Sequence, residues 1–228
     1  QNPDVYFQGR ENQNLFYDAV PGIVQGCFDE LAAQTGRGYS LVEYVGAPDA
    51  EEIVIIMGSA VGTTVEAVEQ LNRQGRKVGV ATLRLFRPFP IEQLIAALPA
   101  TVKRIAVMDR TKESGSAAEP LLEDVLVALV ENVDHFDNGL PTVIGGRYGL
   151  GSKEYTTAMA AAVFTELVAE NPRRRFTVGI EDTVSRLSLQ TDPAFKVDSD
   201  ALTAVFYGLG SDGTVGASKN SVKIIGSD

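Results

Sequence analysis

Apolar positions change their spacing along the chain, and each change marks an element. Residues 1–20 are polar and aromatic without a clear period, which predicts a tail or interdomain linker. Over Pro21 to Gln34, the residues Ile23, Val24, Cys27, Phe28 and Leu31 form one face of a helix, stopped by Gly36 and Gly38. Cys27 on that face reads as a core residue. Tyr39 to Val45 predicts a short strand. Ile53 to Met57 is a continuous apolar run, the mark of a strand covered on both faces. Gly58 to Gly62 predicts a turn, and Thr63 with Glu66 a capping box opening a helix that runs to Gly75, with Val65, Val68 and Leu71 inward.

The rhythm then repeats. Lys77 to Leu85 predicts a second strand, broken by Pro88 and Pro90, and Ile91 to Leu98 a short helix. Arg104 to Met108 predicts a third strand. Glu119 to Glu131 predicts a helix with Leu122, Val125, Leu126 and Leu129 on one side, and Thr142 to Ile144 a fourth strand. Gly145 to Gly151 is a Gly-rich turn, after which Ser152 is expected to cap a helix reaching about Glu170. Arg175 to Ile180 is a further candidate strand. Strands alternating with helices imply an α/β layered fold with a largely parallel sheet. Asp192 to Asp200 is polar and predicts a domain boundary. Beyond it, Thr203 to Tyr207 predicts a strand, followed by a Gly-rich turn and a helix that runs into Asp228. A strand and a helix do not close a βαβ unit, so the expectation is a piece of a longer protein.

Composition narrows the chemistry. The chain has 228 residues, enough for a sizeable core, and a formal charge of −10. That average field repels a phosphate backbone and argues against nucleic acid. No apolar run approaches the ~20 residues of a membrane span. One cysteine, Cys27, excludes an internal disulfide framework and a self-contained iron–sulfur cluster, which takes four thiolates. One histidine, His135, excludes a histidine-rich metal site; it lies in a polar loop and is expected to be exposed.

In a parallel sheet, ligands sit beyond the carboxyl ends of the strands. Three Gly-rich loops are expected there: Gly58–Gly62, Gly145–Gly151 and Gly208–Gly216. In the third, Gly208-Leu-Gly210-Ser-Asp-Gly213 follows a predicted strand and fits the dinucleotide pattern G-x-G-x-x-G. A phosphate-bearing ligand and a tight turn that only permits helix–sheet packing both remain open. Neither other loop carries the Gly-Lys-Ser/Thr of a P-loop. Arg147 is a possible carboxylate or phosphate ligand, with a surface ion pair as the plainer reading. Asp109, Arg110, Lys112 and Glu113 cluster after the third strand, where an acid–base site and a solvated, ion-paired loop compete. Arg173-Arg-Arg175 complements a helix dipole. Ser59, Ser114 and Ser152 have no adjacent histidine, and no catalytic set emerges.

Several strings are more specific. Asn2-Pro-Asp-Val-Tyr-Phe-Gln8, Tyr17-Asp-Ala-Val-Pro-Gly22 and Tyr44-Val-Gly-Ala-Pro-Asp-Ala50 resemble the junction after the first domain of the pyruvate:ferredoxin (flavodoxin) oxidoreductase family. Leu85-Phe-Arg-Pro-Phe-Pro90, Asp109-Arg-Thr-Lys-Glu-Ser-Gly115, Gly146-Arg-Tyr-Gly-Leu-Gly-Ser-Lys153 and Phe176-Thr-Val-Gly-Ile180 resemble its second domain. Phe206-Tyr-Gly-Leu-Gly-Ser-Asp-Gly-Thr-Val-Gly216 resembles the opening of its third, γ-like domain.

The resemblance implies a linker and helix over 1–38, a transketolase C-terminal-like domain over 39–191 and a truncated γ-like domain from 192 to 228. The implied fold is a three-layer α/β/α domain with a mostly parallel five-stranded sheet in the order 1-3-2-4-5, its first strand antiparallel. Tyr39–Val45 would be that strand, and Arg175–Ile180 would lie outside the five. A truncated Rossmann-like βα unit would follow. The parent enzymes are cytoplasmic and decarboxylate pyruvate oxidatively. They form acetyl-coenzyme A with thiamine diphosphate, magnesium and [4Fe-4S] clusters, and pass electrons to ferredoxin or flavodoxin.

Gly210-Ser-Asp-Gly213 does not supply the family's thiamine motif, and the cluster cysteines are absent. The segment alone is therefore expected to be inactive and to bind no cofactor: a scaffold packed against the other domains of the enzyme and a homodimer partner. Gly208, Gly210, Asp212 and Gly213 are its candidate residues for coenzyme A. A separate non-catalytic subunit of a multi-subunit 2-oxoacid oxidoreductase is the alternative, and a stand-alone dinucleotide-binding protein a third reading.

Overall fold

The apolar runs find one another across a single sheet. A computed structural model describes residues 2–198 and 204–226, in two compact units, residues 1–197 and 198–228. In chain order the first unit holds α1 (Pro3–Glu11), α2 (Asn14–Tyr17), α3 (Val20–Thr35), β1 (Val42–Gly46), β2 (Glu52–Met57), α4 (Val61–Arg73), β3 (Val78–Leu83), α5 (Ile91–Ala97), β4 (Arg104–Asp109), α6 (Pro120–Glu131), β5 (Thr142–Arg147), α7 (Thr157–Leu167) and β6 (Arg175–Thr177). The second unit holds α8 (Thr214–Ile225).

Strand order is β1-β3-β2-β4-β5-β6, with β1 antiparallel to β3 and the other pairs parallel. The implied five strands are thus present in their implied order. The Arg175–Ile180 segment lies beyond those five, yet it joins the sheet as a short sixth strand. It stops at Thr177 because Gly179 turns the chain at φ +70, where a Cβ would sit 2.9 Å from Glu154 O. Beyond the ladder, the Thr177 N–H donates to Leu187 O and the Leu189 N–H donates to Thr177 O.

Alternation divides the sheet into two apolar faces. Ile53, Ile55, Leu83, Ile105 and Val107 face α5 and α6. Val54, Ile56, Val80, Ala106 and Met108 face α4 and α7. This is the three-layer arrangement. Asn72 ties α4 to the sheet: its amide accepts from the Val78 N–H at 2.9 Å and donates to Val78 O at 3.0 Å.

Local corrections follow from tertiary packing. Within residues 1–20, expected to be a tail or linker without period, Pro3–Glu11 and Asn14–Tyr17 are helical. Asn2 caps α1 by accepting the Asp4 N–H, and Pro3 pre-sets the first turn. Neither α1 nor α2 buries a residue, so neither has an apolar face to impose a period. The α3 helix forms and ends at Gly36 in the left-handed region as expected, but Cys27 is exposed, because Ile23 and Leu31 beside it also face outward in this chain. Thr63 and Glu66 make no capping box: a turn of 3-10 helix over Gly58–Ala60 starts α4 three residues earlier, with Ala60 at the N-cap. Ser152 does not cap α7; Thr156 does, accepting the Met159 N–H.

In the second unit, residues 204–207 form no strand, since no described segment pairs with them; Thr203 of that predicted strand lies outside the described residues, as do Ser199 and Asp200 of the predicted boundary.

Candidate functional site

β2, β4 and β5 run in one direction and release their chain ends side by side. Of the predicted Asp109–Glu113 cluster, Asp109, Arg110 and Lys112 each take a different hydrogen-bond partner. Asp109, the last residue of β4, turns inward and accepts the Leu121 and Leu122 N–H groups at 3.0 and 3.3 Å. It thereby satisfies donors of the α6 first turn from another element. Lys112 donates to Glu113 O. Arg147 lies in β5, not in a loop, and its Nε donates to Glu119 Oε1 at 2.7 Å. That pair is buried, where the sequence favoured a surface pair; Lys112 Nζ stands 3.9 Å from the same carboxylate.

Gly145 and Gly146 are likewise strand residues rather than turn residues. Their missing side chains leave room for Leu122 on one face and for Phe176 and Met108 on the other.

Burial pushes the Asp109 carboxyl up to about 6, against the pull of its two backbone donors. The sign is the reverse of the usual salt-bridged aspartate. The folded state holds this proton more tightly than the unfolded state, so the stabilisation is complete below the unfolded value of 3.8 and is lost as pH rises through 6. Relative to Asp109→Asn, which does not titrate, the parent sequence should lose roughly 2 kcal/mol between pH 4 and 7. That is less than the full displacement represents, because a cavity beside the carboxyl admits solvent screening. Urea midpoints across that range measure it, and parallel curves for the two proteins would contradict it.

Two cavities adjoin at these strand ends. One, of about 350 Å³, is walled by Met57, Phe86, Pro120, Leu121 and Tyr148, with Asp109 and Arg110 at its polar side. The other, of about 210 Å³, is lined by Ser59, Thr63, Arg110, Lys153 and Tyr155. Arg110 and Tyr148 border both. The Tyr148 hydroxyl donates to Met57 O at 3.0 Å. Sequence reading missed this grouping, because Ser59, Arg110 and Lys153 are far apart in the chain and adjacent only through strand order. A cavity of about 520 Å³ between Tyr17–Gly22 and Pro88–Gln93 carries Asp18 and Glu92 and no cation.

The Gly208–Gly213 loop closes on itself. Asp212 accepts the Leu209 N–H at 2.8 Å and the Thr214 N–H at 3.0 Å, as well as the Thr214 hydroxyl. These donors, the Thr214 hydroxyl first, hold its carboxyl down to about 2. A Cβ on Gly208 would meet Thr214 Oγ1 at 2.4 Å, so that glycine is required by the loop's own packing. Gly210 and Gly213 have positive φ, and a Cβ on either would meet nothing, leaving an open backbone face.

Other predicted residues are structural. His135, expected to be exposed, is half-buried, with Nε2 2.8 Å from Leu98 O and its ring against Phe136. Arg173 pairs with Glu166 across the end of α7, and Arg175 donates to Ala117 O, so this triplet does more than complement a dipole. Among the described residues no group of three His, Cys, Asp or Glu side chains is placed to hold a metal ion, and one cysteine in the chain does not fit the four thiolates of an iron–sulfur cluster. Among them, too, no helix is long and apolar enough to cross a membrane.

Residues 50–150 match the pyruvate:ferredoxin oxidoreductase core domain II. A pyruvate-flavodoxin oxidoreductase from Nostoc sp. is 52% identical over 235 residues, covering 99% of this chain and 20% of its own length. One from Rhodospirillum rubrum is 55% identical over 229 residues, covering 99% and 19%. A pyruvate:ferredoxin oxidoreductase from Moorella thermoacetica is 52% identical over 227 residues, again covering 99% and 19%. The chain spans about a fifth of the length of these curated relatives. A solved 2-oxoglutarate:ferredoxin oxidoreductase from Magnetococcus marinus overlays 57% of this chain and 20% of its own at 21% identity and a TM-score of 0.38, a partial likeness from which no site is carried over.

Proposed function

We infer that this chain, whose residues 50–150 match the pyruvate:ferredoxin oxidoreductase core domain II, is a non-catalytic module of an enzyme that oxidatively decarboxylates pyruvate and passes the electrons to ferredoxin or flavodoxin. The observation that carries this reading is similarity at about half identity through both units, not over the core domain alone. The relatives hold the same stretch inside a chain about five times as long, which supports a segment over a separate subunit.

The chemistry of the strand ends agrees. Asp109 is committed to α6, Glu119 to Arg147, and Ser59 to Arg110. On this reading thiamine diphosphate, magnesium and the [4Fe-4S] clusters belong to the other four fifths of the parent. The module packs against those domains and a second copy of the enzyme, in the cytoplasm.

For the second unit we assign Gly208, Gly210, Asp212 and Gly213 to coenzyme A use. Gly208 and Asp212 shape the loop, and the backbone around Gly210 and Gly213 is the face a ligand can approach. At the start of α8 the Asp212 carboxylate accepts the Thr214 N–H.

In a full-length enzyme Gly210→Val should raise the apparent KM for coenzyme A roughly tenfold, about 1.4 kcal/mol of lost binding, with the KM for pyruvate unmoved. An unchanged KM for coenzyme A rejects the assignment. For the chain as a whole, pyruvate-dependent dye reduction by the 228-residue protein alone, absent on this reading, would overturn the scaffold role.

A further inference from the structure

We propose that the Ser59–Arg110–Lys153 cavity binds a phosphomonoester whose apolar body lies in the adjoining Met57–Phe86–Leu121 cavity. The first support is charge. Arg110 and Lys153 both line the smaller cavity, and among the described residues neither has an ion-pair partner and no carboxylate lines it. In a chain of net charge −10, two cations lining one cavity that no carboxylate lines make a local exception.

The second is preorganisation. Arg110 Nε donates to Gly149 O at 3.2 Å and one terminal nitrogen donates to the Ser59 hydroxyl at 3.0 Å, which holds the guanidinium across the cavity. Gly149 permits this, since a Cβ there would lie 3.1 Å from Arg110 Nε. Pinned in this way, the guanidinium loses little further freedom when an anion arrives.

The third is the set of donors. Thr63 lines the cavity in the first turn of α4. Tyr155 lines the same cavity. Two charges with the Ser59 and Thr63 hydroxyls beside them suit the three terminal oxygens of a phosphate dianion. The neighbouring cavity is mostly apolar in its walls and shares Arg110 and Tyr148 with the first, so one ligand can span both.

The test uses the full-length enzyme and protection of Lys153 from a limiting amine-acetylating reagent, quantified by mass spectrometry. Lys103, paired with Glu51, is the internal reference. Phenyl phosphate should slow Lys153 acetylation severalfold and leave Lys103 unchanged. It should act at roughly a tenth of the concentration that inorganic phosphate needs, because its ring leaves water. Arg110→Gln, at a solvent-exposed position, should abolish protection without changing the acetylation rate of the free enzyme.

Equal Lys153 rates with and without phenyl phosphate, or no Lys153 acetylation in either case, overturn the site. Equal protection by benzoate overturns the phosphate class, and equal potency of inorganic phosphate overturns the apolar subsite. Thiamine and coenzyme A sites elsewhere do not enter, since the readout is confined to Lys153.

Discussion

Glu119→Ala should destabilise the first unit by about 3–5 kcal/mol, the largest loss expected from any single polar side chain in it. The Glu119 side chain is 3% exposed and that of Arg147 12%, and the two meet at 2.7 Å. Removing the acid leaves a largely buried guanidinium without its carboxylate partner. Arg147 has little freedom to withdraw, because its backbone pairs with Asp109 on one side and Thr177 on the other. The double substitution Glu119→Leu with Arg147→Met removes both charges and fills similar volume. It should recover most of the loss, because neither desolvation cost remains. The chain has no tryptophan, so urea unfolding is best followed by far-ultraviolet circular dichroism. A Glu119→Ala protein within about 1 kcal/mol of the parent would show that Arg147 reaches water on its own.

Gly146→Val should cost about 3 kcal/mol, at the upper end of ordinary overpacking. An ideal Cβ at this position lies 2.4 Å from two atoms of the Phe176 ring and 2.5 Å from Met108 Sδ. Both side chains are fully buried, and Phe176 is the middle residue of β6, so the ring can yield only by moving that strand. The Val178 amide, which donates to Arg147 O, should then exchange with solvent faster than the amides of β2. Adding Phe176→Leu should restore part of the stability by returning space. Unchanged stability in Gly146→Val would mean that the sheet edge accommodates the extra bulk.

Much of the sheet was legible because its strands are runs of buried Val, Ile, Leu and Ala, a signal local to each run. Ile53 to Met57 needed no partner to be recognised. What escaped was set by contacts distant in sequence. Gly145 and Gly146 read as a turn because glycine usually punctuates, yet here it makes room for Leu122, Met108 and Phe176 above and below a strand. The Glu119–Arg147 pair spans 28 residues and the Ser59–Arg110 contact 51, so neither leaves a spacing to detect. The α1 helix failed for the opposite reason: it forms on local capping alone, without a buried face to give it a period. The glycine pattern at 208–213 was visible, but its occupancy by Asp212 depended on how the loop folds back.

The brevity of β6 bears on how this sheet survives beside other polypeptide. An unfinished sheet border is a template on which a stray extended segment can zip, the route to clumping and exchanged strands. Here one border is only three residues long, and its Thr177 amide and carbonyl are already taken by Leu187 and Leu189. The opposite border, β1, runs for five residues and displays Glu43. Neither border offers a foreign strand a long, uncharged landing strip, so crowding by neighbours need not end in miswoven β-structure.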